Sequence, residues 1–191
     1  ILTELDARGL LHQSTDLETL NKSLTSPLTF YCGFDPTSDS LHIGSLLPLL
    51  TMRRLQLRGH HPIAIAGGAT GMIGDPSGKT EERKLLNEQT ITKNLEGIKK
   101  TIERFLDFSG KNPAKLMNNA TFFESMNAIE FLRDVGKYFT VNYMLGKESV
   151  SQRIEDREQG ISYTEFSYML LQAYDFYYLN KKYGCQLQIG G

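Results

Sequence analysis

The stretch from Tyr31 to Ser45, YCGFDPTSDSLHIGS, dictates a strand that breaks off and restarts as a helix. Leu28, Phe30 and Tyr31, with β-branched Thr29 between them, read as strand. Gly33-Phe34-Asp35-Pro36 ends it, and Pro36, Ser38, Asp39 and Ser40 are turn formers. Ile43, Leu46, Leu47 and Leu50 then follow at helical spacing. Such a turn aims backbone N–H groups and the positive end of a helix dipole at one point, where a phosphate can sit. His42 at that mouth can donate to a phosphate oxygen, and Gly44 lets the backbone approach. A His-x-Gly triplet alone is more often an ordinary polar loop. The weight therefore falls on what surrounds it.

The rest of the chain alternates helix and strand. Leu2 and Leu5, stopped by Gly9, open a first helix, and Thr15 or Asp16 starts a second. Residues 1–25 thus form a helical N-terminal extension. The strand at 28–33 leads to a helix at 43–58 that Gly59 ends, with Pro48 tolerated in its first turns. Residues 62–66 are a buried strand by their continuous apolar character. A long helix is expected at 88–108, a strand at 114–118, and helices at 124–138, 141–155 and 164–183. Gly184 caps the last, and a strand closes the chain at 185–189. Strands separated by helices imply an α/β fold with a Rossmann-like parallel sheet and helices on both faces.

Composition narrows the class. With 191 residues, 40% hydrophobic and 23% charged, one globular domain is expected. A net charge of −1 leaves no basic footprint that would announce nucleic acid. Charge or Gly/Pro interrupts every apolar run before membrane-spanning length, and the N-terminus has no basic signal region. A cytoplasmic protein without membrane association is the expectation. Cys32 and Cys185 suggest neither a disulfide framework nor, with His12, His60 and His61, a metal site. The chain lacks an initiator Met and stops at Ile189-Gly190-Gly191, where a strand would hand over to a loop. It reads as a piece of something longer, incomplete at its C-terminus.

The segment Gly67 to Lys79, GGATGMIGDPSGK, invites two nucleotide readings and satisfies neither. Gly68-x-x-Gly71-x-x-Gly74 approximates a dinucleotide turn, but Pro76 lies just past its third glycine. Gly74 to Thr80 approximates a P-loop with one spacer residue too few. Tyr178 and Lys182 have the Tyr-x-x-x-Lys spacing of some dehydrogenases, although they sit at a helix end among other tyrosines and lysines. A nicotinamide-dinucleotide oxidoreductase remains a minor reading, and a P-loop NTPase a slighter one. Lys79 and Arg83 are one helical turn apart and could neutralise a polyphosphate.

The helix at 164–183 carries a polar stripe. Tyr168, Gln172 and Asp175 share one face, beside Phe166, Leu170, Ala173 and Tyr177 as the packing face. Such a stripe is usually the solvated side of a helix. Here Leu171 and Tyr178 flank it, so a tyrosine, an amide and a carboxylate could instead line a pocket for a small polar ligand.

Four blocks together resemble the N-terminal catalytic part of bacterial-type tyrosyl-tRNA synthetases, a class I aminoacyl-tRNA synthetase family. They are Tyr31–Thr37 with Asp39–Gly44, Gly67–Lys79, Gly160–Asp175 and Leu187–Gly191, and the similarity runs from about Leu11 to the end. The resemblance implies a tyrosine–tRNA ligase: ATP-dependent formation of tyrosyl-adenylate, then transfer of the tyrosyl group to tRNA(Tyr). Tyr31 and Asp175 match the pair that hydrogen-bonds the substrate phenol. Asp75, Tyr168 and Gln172 match the groups around its α-ammonium, and Gln188 a residue at the pocket floor. Cys32, Gly33, Asp35 and Gly191 match positions around ribose and adenylate. Thr37 and His42 match the grip on the ATP γ-phosphate, and Lys79 and Arg83 the cations of a loop that closes on pyrophosphate. ATP enters as substrate with Mg2+, without a tightly bound cofactor, and a homodimer is implied.

Two departures stand out. The first signature normally ends in a second histidine or asparagine, where this chain has Ser45, a shorter donor to the nucleotide. The Asp-Gln pair after the glycines, the lysine-rich second signature loop and the C-terminal tRNA-binding regions are absent. The chain alone is therefore expected to be inactive as a synthetase. A non-catalytic relative that binds tyrosine or RNA remains an alternative.

Overall fold

A computed structural model describes residues 1–75, 86–155 and 160–190. Two helices, α1 (Leu2–Ala7) and α2 (Leu17–Ser23), precede the first strand. Leu2 and Leu5 bury the inner face of α1, and Glu4 meets Arg8, Arg54 and Arg58 on its outer side. Asp16 caps α2 by accepting from the Thr19 N–H.

Four strands pair in parallel: β1 (Thr29–Phe34), β2 (His61–Ala66), β3 (Lys115–Asn118) and β4 (Cys185–Gln188). Their order is β3-β2-β1-β4, so the chain reverses its direction of travel across the sheet at β1. In open parallel sheets the crevice for a ligand lies beyond the carboxyl ends of the strands at such a switch point. Here that point is between β1 and β4.

Both faces of the sheet are covered, as expected. On one side Phe30, Cys32 and Phe34 pack with Leu49, Met52 and Leu55 of α3 (Leu46–Leu57) and with Ile98 and Ile102 of α5 (Glu88–Ile102). On the other side Tyr31, Ile63, Ile65 and Cys185 meet Phe122 of α6 (Ala120–Phe123) and Leu179 of α10 (Tyr163–Tyr183). Alternation of side chains along β1 divides it between the two layers.

Several element boundaries differ from expectation, each for a local reason. The helix expected at 43–58 opens as a 3-10 turn over Ile43–Ser45 before α3 begins. Pro48 falls in the first turn of α3, where no intrahelical N–H is needed. The glycine-rich run is not a turn: Gly68–Ile73 forms a short helix, α4, straight after β2. The helix expected to reach 108 ends at Ile102. Beyond it the Gln56 side chain donates to Asp107 O and accepts from Asp107 N, holding that backbone in a non-helical path. The helix expected at 124–138 is broken into α6, α7 (Ala128–Asp134) and a 3-10 turn. A capping box between Asn127 and Glu130 starts α7 afresh. The helix expected at 141–155 splits into α8 (Val141–Leu145) and α9 (Glu148–Glu155) around Gly146-Lys147. Residues 156–159, which follow α9, lie outside the described residues.

Candidate active site

Beyond the carboxyl ends of β1 and β4 lies a cavity of about 430 Å³. Every site residue named from sequence within the described range lines it: Tyr31, Cys32, Gly33, Asp35, Thr37, His42, Ser45, Asp75, Tyr168, Gln172, Asp175 and Gln188. Lys79, Arg83 and Gly191 lie outside the described residues. Gln188 lines the cavity from an exposed position at the end of β4.

The polar stripe of α10 is its buried side. Ser162 caps the helix, accepting from Glu165 N, and from that start the 3.6-residue repeat carries Tyr168 and Asp175 inward. Asp175 is 4% exposed, whereas Tyr177, placed on the packing face by sequence, is 58% exposed. The solvated-stripe reading of this helix is therefore wrong, and so is part of the packing face: Leu170 is buried, Tyr177 is not. Periodicity separates faces but does not say which one a sheet will cover.

A chain of hydrogen bonds runs along the cavity wall. Tyr168 OH donates to Asp35 Oδ2 at 2.9 Å, and Thr70 Oγ1 donates to Asp35 Oδ1 at 2.6 Å. With its hydrogen committed to Asp35, the Tyr168 oxygen offers lone pairs to a cation such as an ammonium. Asn119, wholly buried at the exit of β3, donates to Asp175 Oδ2 at 3.0 Å and to Thr70 Oγ1 at 3.3 Å. Its own oxygen accepts from Ala69 N at 2.8 Å, which fixes which end of the amide faces Asp175. The same bond occupies the amide of Ala69, the second residue of α4, at the helix start a dinucleotide pyrophosphate would use. Thr70 and Asn119 were missed in the sequence. The available signal was an asparagine immediately after a strand, at the edge of the sheet where ligands bind.

Among the described residues, two buried side-chain polar atoms have no hydrogen-bond partner, and both stand in this wall. Tyr31 OH and Asp175 Oδ1 are buried and unbonded. A buried polar group left unsatisfied costs about 1–3 kcal/mol, so a ligand that bonds both recovers that cost. Burial pushes the Asp175 carboxyl up to about 7, the Asn119 bond opposing this and the Asp35 charge adding to it. Burial, followed by the nearby carboxylates, also holds the Tyr31 and Tyr168 phenols well above their ordinary range. Burial pushes the Cys32 thiol up to about 12 and the Cys185 thiol up to about 11, so both are neutral and poor nucleophiles.

The other end of the cavity is exposed and carries Thr37, His42 and Ser45. His42 Nδ1 accepts from Gly44 N at 3.0 Å. In the neutral ring the proton then sits on Nε2, a donor free to point at an anion. This bond uses one of the amides expected to face a phosphate, and Ser45 N is also used, donating to His42 O. A phosphate placed at this turn would therefore meet side chains more than backbone amides.

Fold and site together define a Rossmann-like α/β domain with a cavity at its switch point, polar and buried at one end, open and lined by Thr37, His42 and Ser45 at the other. Residues 22–191 match the family described as tRNA synthetases class I (W and Y), and the chain belongs to that family. It is 58% identical to a tyrosine–tRNA ligase of Chromobacterium violaceum and 55% identical to one of Staphylococcus carnosus, over all of this chain and 45% of each relative. The chain thus spans about half the length of the curated relatives it matches. Its fold superposes on a C-terminally truncated mitochondrial tyrosyl-tRNA synthetase of Aspergillus nidulans with a TM-score of 0.84 at 31% identity, covering 98% of this chain and 55% of that one. It also superposes, at TM-score 0.65 and 18% identity, on the synthetase of Archaeoglobus fulgidus solved with L-tyrosine, covering 91% of this chain and 49% of that one. That last likeness concerns the fold.

Proposed function

We propose that this chain is the tyrosine- and ATP-binding part of a tyrosine–tRNA ligase. The observation that carries the reading is the pair of unpartnered buried atoms, Tyr31 OH and Asp175 Oδ1, in one cavity. A phenol supplies both missing partners: its hydrogen goes to Asp175 and its oxygen accepts from Tyr31. Asp75, Tyr168 and Gln172 receive the α-ammonium, with Gln188 closing the pocket. Cys32, Gly33, Asp35 and Gly191 surround the ribose and adenylate.

The substrate carboxylate attacks the α-phosphorus of ATP in line, and pyrophosphate leaves. No protein nucleophile takes part, in keeping with two neutral buried thiols. Catalysis comes from position and from donors aimed at charge that develops on the phosphates. Thr37 and His42 serve the γ-phosphate, Ser45 the nucleotide, and Lys79 and Arg83 the departing pyrophosphate. Mg2+ would arrive on the phosphates of ATP. The tyrosyl group then passes to tRNA(Tyr), for which the second signature loop and C-terminal regions of a longer protein are required.

Within residues 129–145, Ile129, Leu132, Tyr138, Val141, Tyr143 and Leu145 are all exposed, an apolar surface that fits a homodimer. Among the described residues no helix is long and apolar enough to cross a membrane, and the cytoplasm is the proposed location. The test is ATP–pyrophosphate exchange. The full-length gene product should exchange label only when tyrosine is present, whereas purified residues 1–191 should not. Exchange by the short chain, or none by the long one, would overturn the assignment.

A further inference from the structure

Thr37 and His42 lie on an exposed loop, yet activation as proposed above needs them fixed relative to the buried end of the cavity. Something outside the site must set their position. Helix α5 packs over the back of this loop, with none of its side chains in the cavity wall. Asn94 of α5 is 6% exposed and donates from Nδ2 to Pro36 O at 2.9 Å. One turn later the backbone of Asp39 lies against Gly97 so closely that a Cβ there would overlap the Asp39 carbonyl oxygen. Helix α4, which packs against α5, presses on the same loop, where a Cβ on Gly71 would come within 2.6 Å of Pro36 Cδ. Pro36 itself is buried, while its neighbours Thr37 to Ser40 are exposed. The loop is thus clamped at Pro36 and Asp39, on either side of Thr37 and three residues before His42.

We infer that Asn94 and Gly97 are positioning residues for adenylate formation, holding the Thr37–His42 loop at the height the phosphates require. They touch neither substrate. Asn94 supplies a buried hydrogen bond that no other described side chain offers the Pro36 carbonyl. Gly97 supplies the space that lets the Asp39 backbone lie flat on the helix. Tyr31 and Asp175 stand on β1 and α10, outside the clamped residues, and Tyr168 meets the loop at Asp35, ahead of Pro36, so tyrosine affinity should change little when the clamp is loosened. The inference rests on the ligase reading for its kinetic consequence, but the clamp can be measured without it.

The experiment compares Asn94→Ala and Gly97→Ala with Thr101→Val in the full-length protein. Thr101 Oγ1 donates to Gly97 O within the helix, so its loss perturbs α5 without removing a contact to the loop. Tyrosine affinity is read by calorimetry, activation by tyrosine-dependent pyrophosphate exchange, and the loop by amide hydrogen exchange of residues 35–45. A misplacement of about 1 Å can cost roughly a hundredfold in rate. Asn94→Ala and Gly97→Ala should therefore slow exchange at least about tenfold while tyrosine affinity stays within about twofold, the pattern of an interaction made for the transition state. Hydrogen exchange at 35–45 should rise in both and stay at the wild-type level in Thr101→Val. Unchanged loop exchange in Asn94→Ala would overturn the inference, as would a rate loss matched by lost tyrosine affinity or reproduced by Thr101→Val. A wild type inactive in pyrophosphate exchange would overturn the ligase reading instead, leaving loop exchange alone to decide the clamp.

Discussion

Replacing Asp175 with asparagine should make the protein more stable and a worse tyrosine binder, and both effects follow from the same buried oxygen. The carboxyl is pushed up to about 7 from 3.8, chiefly by burial. A carboxyl whose folded-state value is raised favours the native state while protonated. Its contribution is complete below about pH 4 and is lost as pH rises through about 7. A shift of about three units at about 1.4 kcal/mol each sets the loss at about 4 kcal/mol by pH 8. Asparagine of the same shape has no such charge to bury. Asp175→Asn should therefore match the wild type near pH 4.5 and exceed it at pH 8, by as much as about 4 kcal/mol. Binding goes the other way. Asn119 donates to one oxygen of residue 175, which in the variant turns the new NH2 toward the cavity, so a phenol hydrogen meets a donor. Loss of a hydrogen bond to a charged group costs about 1.5–3 kcal/mol, or roughly tenfold to a hundredfold in tyrosine affinity. Phenylalanine, which never made the bond, should change little. Urea unfolding at the two pH values, with calorimetric titration of both amino acids, checks each half. A variant no more stable than wild type at pH 8, or an unaltered preference for tyrosine over phenylalanine, would refute the reasoning.

Three further outcomes are expected. In the full-length protein, His42→Ala should lower the rate of adenylate formation by about 2–4 kcal/mol while tyrosine affinity holds, the scale of one preorganised donor; stopped-flow kinetics separates the two. Asn119→Ala should destabilise the fold by about 2–3 kcal/mol, since it strips buried Ala69 N of its partner and Asp175 of a donor; urea unfolding near pH 7 measures it. Leu179→Ala, at a side chain with no solvent exposure between α10 and the sheet, should cost about 2–5 kcal/mol, with tyrosine binding lost at temperatures where the variant unfolds, as thermal melts with and without ligand will report.

Much of this architecture was legible because local signals agreed. The parallel strands fell within a residue or so of their expected places, since continuous apolar runs bounded by Gly and Pro leave little freedom. Where long-range bonds decide, the sequence misled. The early end of α5 depends on Gln56, almost fifty residues away, and no window around Ile102 contains that information. The fresh start at Asn127 was readable in principle, because Asn-x-x-Glu is a capping signature. The cavity residues were named by resemblance and by the stripe on α10. The bonds that hold them, Asn119 to Asp175 and Asn94 to Pro36, join positions more than fifty residues apart, and isolated asparagines carry no periodic signal.

The central strand also has an implication for how the chain matures on the ribosome. β1 pairs with β2 across a separation of about thirty residues but with β4 across more than one hundred and fifty. Loop closure over long separations slows folding, and domains emerging from synthesis order their N-terminal parts first. The β1-α3-β2 unit can therefore collapse early, with one face covered by α3 and the Tyr31 side of the sheet still bare. The cavity is walled in only when α10 and β4 arrive and dock, nearly the whole described length later. A nascent chain released before residue 185 would carry the exposed loop of Thr37 and His42 and lack one wall of the cavity, with an apolar strand face left uncovered and prone to aggregate.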